Sequence, residues 1–134
     1  MSKTALIVED EIFVALDLER ILIDAGYHVV GIAADQETAC DIGRTCNFAF
    51  VDVNLRDGPT GPEIAARLAK EHGVKVMFVT ANPAQIGAVE TALGYIRKPF
   101  SESAITTAAA IASGAMPTSA ANDDVVLFDR ATGD

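Results

Sequence analysis

The chain has 134 residues, half of them apolar, with few aromatics and no tryptophan. That suffices for one domain with an aliphatic, alanine-rich core and is too little for two. A formal net charge of −9 speaks against direct nucleic-acid binding, which leaves a basic footprint, and suits an acidic pocket that takes up a cation.

At the N-terminus Met1-Ser2-Lys3 leads straight into an apolar run over residues 4–8, with no signal pattern before it. The run reads as a buried parallel strand. Residues 11–25 carry Ile12, Leu16, Ile21 and Leu22 or Ile23 near helical spacing, with Asp17, Glu19, Arg20 and Asp24 on the outside. Gly26 stops that helix from the position after its cap. A second strand follows over 27–32, and Asp35 caps a helix to about Arg44. The third strand spans 48–53. A loop dense in turn residues runs from Asn54 to Gly61, and Pro62 sits well in the first turn of a helix to about His72. The fourth strand spans 75–79. Asn82-Pro83 opens a short fourth helix to about Ala92, the fifth strand covers 94–97, and Ser101 caps a fifth helix over about 102–113.

Strict strand–helix alternation predicts an α/β fold, a parallel doubly wound sheet with helices on both faces. Residues 1–114 form the expected domain, and 115–134 are expected to be a mostly flexible tail around one apolar patch at 125–128, with docking of that patch on the domain or on a partner as the alternative. Cys40 and Cys46 lack metal-ligand spacing to a histidine and read as reduced thiols. No apolar run approaches the roughly 20 residues of a membrane span. No membrane association is expected, and the cytoplasm is the expected location.

The strands end on residues suited to phosphate chemistry. The first runs into Glu9-Asp10-Glu11, the third into Asp52, the fourth into Thr80 and the fifth into Lys98-Pro99. In an open parallel sheet the carboxyl ends of the strands share one edge, and ligands bind there. A carboxylate such as Asp52 can accept a phosphoryl group. Its charge must be offset, and Mg²⁺ held by Glu9, Asp10, Asp52 and the backbone carbonyl of Asn54 can do so. Lys98 adds a point charge and Thr80 a hydroxyl, so positioning and electrostatics would supply the catalysis. Each residue also has a plainer reading: Glu11 as a helix cap, Thr80 as a turn residue, Lys98 as a solvated charge. Their placement at the same end of different strands favours the joint reading.

The segments Leu6-Ile7-Val8-Glu9-Asp10-Glu11, Phe50-Val51-Asp52-Val53-Asn54-Leu55, Val79-Thr80-Ala81 and Tyr95-Ile96-Arg97-Lys98-Pro99-Phe100, in this order and spacing, resemble the receiver domain of bacterial two-component response regulators over residues 3–113. The resemblance implies a flavodoxin-like sheet of five strands in the order 2-1-3-4-5, for which a member of this family is a standard example. It implies that Asp52 is the phosphoacceptor and that Asp10 and Glu9 bind Mg²⁺. Thr80, Lys98 and the aromatic Tyr95 are then the switch, and a cis bond joins Lys98 to Pro99. For Tyr95, a packed aromatic on an edge strand is the plainer alternative.

The implied function is a phosphorylation-activated signalling switch, not an enzyme beyond its own phosphorylation and dephosphorylation. A sensor histidine kinase or histidine phosphotransfer protein would donate the phosphoryl group. The surface of the fourth helix, fifth strand and fifth helix would then change toward a downstream protein target. No output domain is expected, so the module would act by partner binding or in a phosphorelay. The resemblance also allows a homodimer through the same surface. Arg56 stands where the family usually has proline, and the segment between Thr80 and Lys98 is short. A haloacid-dehalogenase-type phosphatase shares the aspartyl-phosphate chemistry but carries its nucleophile on the first strand with a second Asp two residues on, where this chain has Glu9-Asp10-Glu11. A degenerate receiver serving only as a scaffold would not need the full set Asp10, Asp52, Thr80 and Lys98. A flavodoxin-like cofactor carrier would need a phosphate loop after the first strand, and none follows.

Overall fold

The computed structural model describes residues 3–87 and 91–128. Five strands run parallel: β1 (Thr4–Val8), β2 (His28–Ala33), β3 (Phe48–Val51), β4 (Lys75–Thr80) and β5 (Gly94–Arg97). Their order in the sheet is β2-β1-β3-β4-β5, as expected, and a short antiparallel strand, β6 (Val126–Leu127), extends it beyond β5. The α-helices are α1 (Ile12–Asp24), α2 (Gln36–Ile42), α3 (Gly61–His72) and α4 (Glu102–Ala112).

Alternation along the strands divides the core between the two faces. Ala5 and Ile7 of β1, Phe48 and Phe50 of β3, and Met77 and Val79 of β4 face α1 and α4, meeting Leu18, Leu22, Ile105 and Ala108. Leu6, Val8, Ala49, Val51, Val76 and Phe78 face the other way, toward Ile64, Ala65 and Leu68 of α3. With both faces covered, the strands are continuous apolar runs, as a buried parallel sheet requires. Tyr27, Phe48 and Phe50 form an edge-to-face series, with ring centroids 5.2 and 6.0 Å apart.

The caps form largely as the sequence implies. The Asp35 side chain accepts from the Thr38 N–H and that of Ser101 from the Ala104 N–H, each at 3.0 Å. Gly26 follows the α1 cap at φ +98°, a conformation that favours glycine. The buried face of α1, however, is Ala15, Leu18, Ile21 and Leu22. Ile21 and, of the pair Leu22 or Ile23, Leu22 lie on the buried face as expected, but Ile12 and Leu16 lie exposed together with Phe13 and Ile23.

Two expectations near the C-terminus need correction. The fourth helix expected from Pro83 is a single 3-10 turn, Pro83–Gln85, and Gly87 already has φ +72°. Within that expected helix, residues 88–90 lie outside the described residues, and Thr91 and Ala92 form a turn and not a helix. The expected tail is a packed segment as far as Phe128: a 3-10 turn at Thr118–Ala120 is followed by β6, and Val125 is buried in the core. Residues 129–134 lie outside the described residues. Both cysteines are free, and burial pushes the Cys46 thiol up to about 11.

Phe48 is fully buried at the centre of the aromatic series. Truncation to alanine is expected to cost about 3–5 kcal/mol. Urea unfolding of Phe48→Ala checks this as a lowered midpoint with an unchanged slope.

Candidate functional site

Backbone bonds bring the strand ends into register. The Asp52 N–H donates to the Val8 carbonyl at 2.9 Å, the Glu9 N–H to the Ala33 carbonyl at 2.8 Å, and the Lys98 N–H to the Thr80 carbonyl at 2.9 Å. Continuation of the parallel ladder past the last paired residues thus puts Glu9, Asp52, Thr80 and Lys98 at one edge. Asp10, Glu11, Asp52, Asn54, Leu55, Thr80, Ala81 and Lys98 line an open cleft of about 360 Å³ there.

The Lys98 ammonium joins the acids. Its Nζ lies 2.7 Å from Glu9 Oε1, 3.0 Å from Asp52 Oδ2 and 3.5 Å from Glu11 Oε1. Burial alone would lower the lysine's pKa, but the close contacts with the Glu9 and Asp52 carboxylates hold it above its ordinary value. Asp52 is nearly buried, and its Oδ1 accepts from the Val53 N–H at 2.7 Å, which fixes the carboxylate's orientation. The buried Thr80 hydroxyl accepts from the Asn82 N–H at 3.0 Å.

Glu9 is only 2% exposed. Its Oε2 accepts from the Glu11 N–H at 3.1 Å, while Oε1 has the Lys98 ion pair but no hydrogen bond of good geometry. Burial pushes its carboxyl up to about 7, opposed by the Lys98 contact and the Glu11 N–H bond, with the Asp52 charge adding to the rise. Carboxylate oxygens of Glu9, Asp10 and Asp52 all lie within 4.8 Å of one another. A cluster of hard oxygen donors, one of them buried and under-satisfied, fits a small divalent cation.

The remaining expected residues lie around this centre. The Asn54 side chain donates to Gln85 Oε1 at 2.7 Å, tying the loop after β3 to the turn after β4. The Lys98–Pro99 peptide bond is cis. Tyr95 lies outside the cleft, half-buried on β5 opposite Phe78 of β4, with its ring 6.1 Å from that of Phe128. Arg56 has a local use that proline could not serve: its N–H donates to the Ala34 carbonyl at 3.1 Å, and its guanidinium lies 3.6 Å from Asp35.

Sequence reasoning missed Gly61. A Cβ there would lie 2.1 Å from the Asp52 carbonyl oxygen and 2.6 Å from Val53 Cα, so glycine lets α3 begin directly against the backbone of Asp52. The Gly61 N–H closes the contact on the Val53 carbonyl at 3.0 Å. The only trace of this in the sequence is a Gly-Pro pair ending the turn-rich loop.

The family model described as the response regulator receiver domain matches residues 5–110. The chain belongs to that family. This receiver is 34% identical to the phyllosphere-induced regulator PhyR of Methylorubrum extorquens, across 62% of the chain and 32% of that protein. It is 30% identical to the transcriptional regulatory protein PdtaR of Mycobacterium tuberculosis, across 82% of the chain and 56% of that protein. The chain therefore spans from a third to just over half the length of these curated relatives. Among solved structures, the receiver domain of Erythrobacter litoralis PhyR superposes with a TM-score of 0.77 at 26% identity, covering 87% of this chain and 94% of that one. The receiver domain of a modulated diguanylate cyclase from Desulfovibrio desulfuricans gives 0.74 at 27%, covering 86% and 96%. No helix among the described residues is long and apolar enough to cross a membrane.

The raised Glu9 carboxyl sets a pH dependence. A carboxyl whose folded pKa lies above its ordinary 4.5 favours the fold at low pH and loses that contribution as the pH rises toward about 7. Metal-free wild type is therefore expected to lose stability between pH 5 and pH 8, and Glu9→Gln to lose less over the same window. Urea midpoints in chelator at the two pH values check the difference.

Proposed function

We propose that this receiver is a phosphorylation switch in which Asp52 takes a phosphoryl group from a phosphohistidine of a sensor kinase or phosphotransfer protein. The observation that carries the reading is the convergence of Lys98 on Glu9 and Asp52, with Asp10 alongside, at one sheet edge. In the transfer, an Asp52 carboxylate oxygen bonds to phosphorus as the phosphorus–nitrogen bond breaks, and the imidazole leaves with the electron pair and takes up a proton. The Val53 N–H and the Lys98 ammonium hold the two Asp52 oxygens, so the nucleophile needs little reorientation. Glu9, Asp10, Asp52 and the Asn54 carbonyl are the proposed Mg²⁺ ligands. The ion, when bound, supplies positive charge against the phosphoryl oxygens. Lys98 remains as the protein's own counter-charge on the product, and the Thr80 hydroxyl is its hydrogen-bond donor.

The switch follows from the added charge. Thr80 exchanges its present bond with the Asn82 N–H for one to the phosphoryl group, and Tyr95 turns inward into the space vacated. The responsive surface comprises the Pro83–Gln85 turn, β5 and α4, since no α-helix spans the described residues between β4 and β5. A downstream protein reads that surface; a second copy of the chain is the alternative reader.

Intact mass after incubation with Mg²⁺ and a small phosphodonor tests the reading. Wild type is expected to gain one phosphoryl group. Asp52→Asn and a magnesium-free sample are expected to gain none. No gain in wild type, beside a control receiver that labels, would leave the scaffold reading in its place.

A further inference from the structure

The outer edge of β5 is filled by the chain itself. Gly94 pairs with Leu127 and Tyr95 with Val126, and the Phe128 N–H donates to the Leu93 carbonyl at 2.9 Å. The sequence is fitted to this contact. A Cβ on Gly94 would lie 2.1 Å from the Val126 carbonyl oxygen and 2.7 Å from Leu127 Cα. Gly94 has no positive φ, so the approach of β6, and not the conformation of β5, demands glycine there. Val125 anchors the segment on the α1–α4 side of the sheet. Phe128 packs on the opposite side, against Tyr95.

The hold is nonetheless slight. Paired residues number only two, Val126 and Leu127, with one further bond from the Phe128 N–H; Val126 itself is 38% exposed, and residues 122–124 are exposed. An open groove of about 390 Å³ lies between Asp123, Asp124 and Val126 on one side and the stretch from Arg97 to Ser101 on the other. A strand this short is stable only through its side-chain anchors: Val125 and Leu127 pack on the α1–α4 side, and Phe128, the anchor on the other side, rests on the ring of Tyr95.

We propose that residues 125–128 are a displaceable strap on the β5 edge, and that strap closure and phosphorylation of Asp52 oppose each other through Tyr95. This rests on the receiver reading above. With the strap closed, the Tyr95 ring packs, tilted, against that of Phe128. When Tyr95 turns inward, Phe128 loses that neighbour, the strap detaches, and the backbone donors and acceptors of β5 are uncovered for strand pairing with a target. Because the two events share one residue, the coupling is reciprocal: whatever weakens the strap favours the phosphorylated state by the same factor.

The test uses the full chain with Mg²⁺ and beryllofluoride, an unreactive phosphoryl mimic, followed by amide exchange and by the beryllofluoride concentration needed for half-loading. On loading, the Phe128 amide is expected to exchange at least about tenfold faster. Phe128→Ala is expected to load at about fivefold lower concentration, within the range of ordinary coupling. Gly94→Ala should shift in the same direction, and Phe128→Ala keeps the test decisive if that variant folds poorly. Loading that leaves Phe128 exchange unchanged, or that is no easier in Phe128→Ala, overturns the strap and spares the receiver reading. A wild type that never loads removes both.

Discussion

The site depends on one ammonium among acids. Lys98 lies within ion-pair distance of Glu9, Asp52 and Glu11, and Glu9 and Asp52 are nearly or fully buried. Two carboxylates placed so close would repel and draw protons if left alone, and a buried pair earns its place only when its charges are matched. Lys98 supplies part of that match, while burial still pushes the Glu9 carboxyl up. Three carboxylates, Glu9, Glu11 and Asp52, surround the single ammonium, with Asp10 alongside, so a cation has acids to join that Lys98 does not fully match. The lysine reaches the acids because β5 ends beside β4, where the Lys98 N–H closes on the Thr80 carbonyl.

The same geometry explains why the fold is built as it is. Continuous apolar strands sandwiched between helices hold the β1, β3, β4 and β5 ends in a fixed register, so loops of very different composition leave from one rigid edge. Gly61 lets α3 close directly behind Asp52, and the Asn54–Gln85 bond ties two of the loops across the mouth of the cleft. On the far side of β5 the chain uses a second close glycine approach, at Gly94, to seat its own C-terminal strand. One short strand thus ends at the candidate site and carries β6 along its outer edge.

Much of this was legible in the sequence, for identifiable reasons. Buried parallel strands are uninterrupted apolar runs, so their ends, and the polar residues there, stand out. Strand order came from the family resemblance, since periodicity carries no order. The buried face of α1 was only half legible: helical spacing marks Ile21 and Leu22, but Ile12, Phe13, Leu16 and Ile23 make the helix apolar on nearly every side, and the small Ala15 and Leu18 complete the buried face. The fourth helix failed because Pro83 and Gly87 bracket too few residues for an α-helical turn to propagate. β6 escaped because a two-residue strand has no periodicity; its clearest mark is a glycine thirty-odd residues earlier, whose need shows only when the backbones meet. The absent proline at Arg56 was visible, but its replacement by a bond to Ala34 was not.

The central claim is that these acids form a cation site with Lys98 as its resident counter-charge. A Mg²⁺ titration of the full chain, followed residue by residue through backbone amide shifts, tests it most directly. Saturable shifts confined to residues 9–11, 52–55 and 98, and lost in Asp10→Asn, are the predicted result. Shifts that never saturate, or that centre away from the carboxyl edge of the sheet, would contradict it.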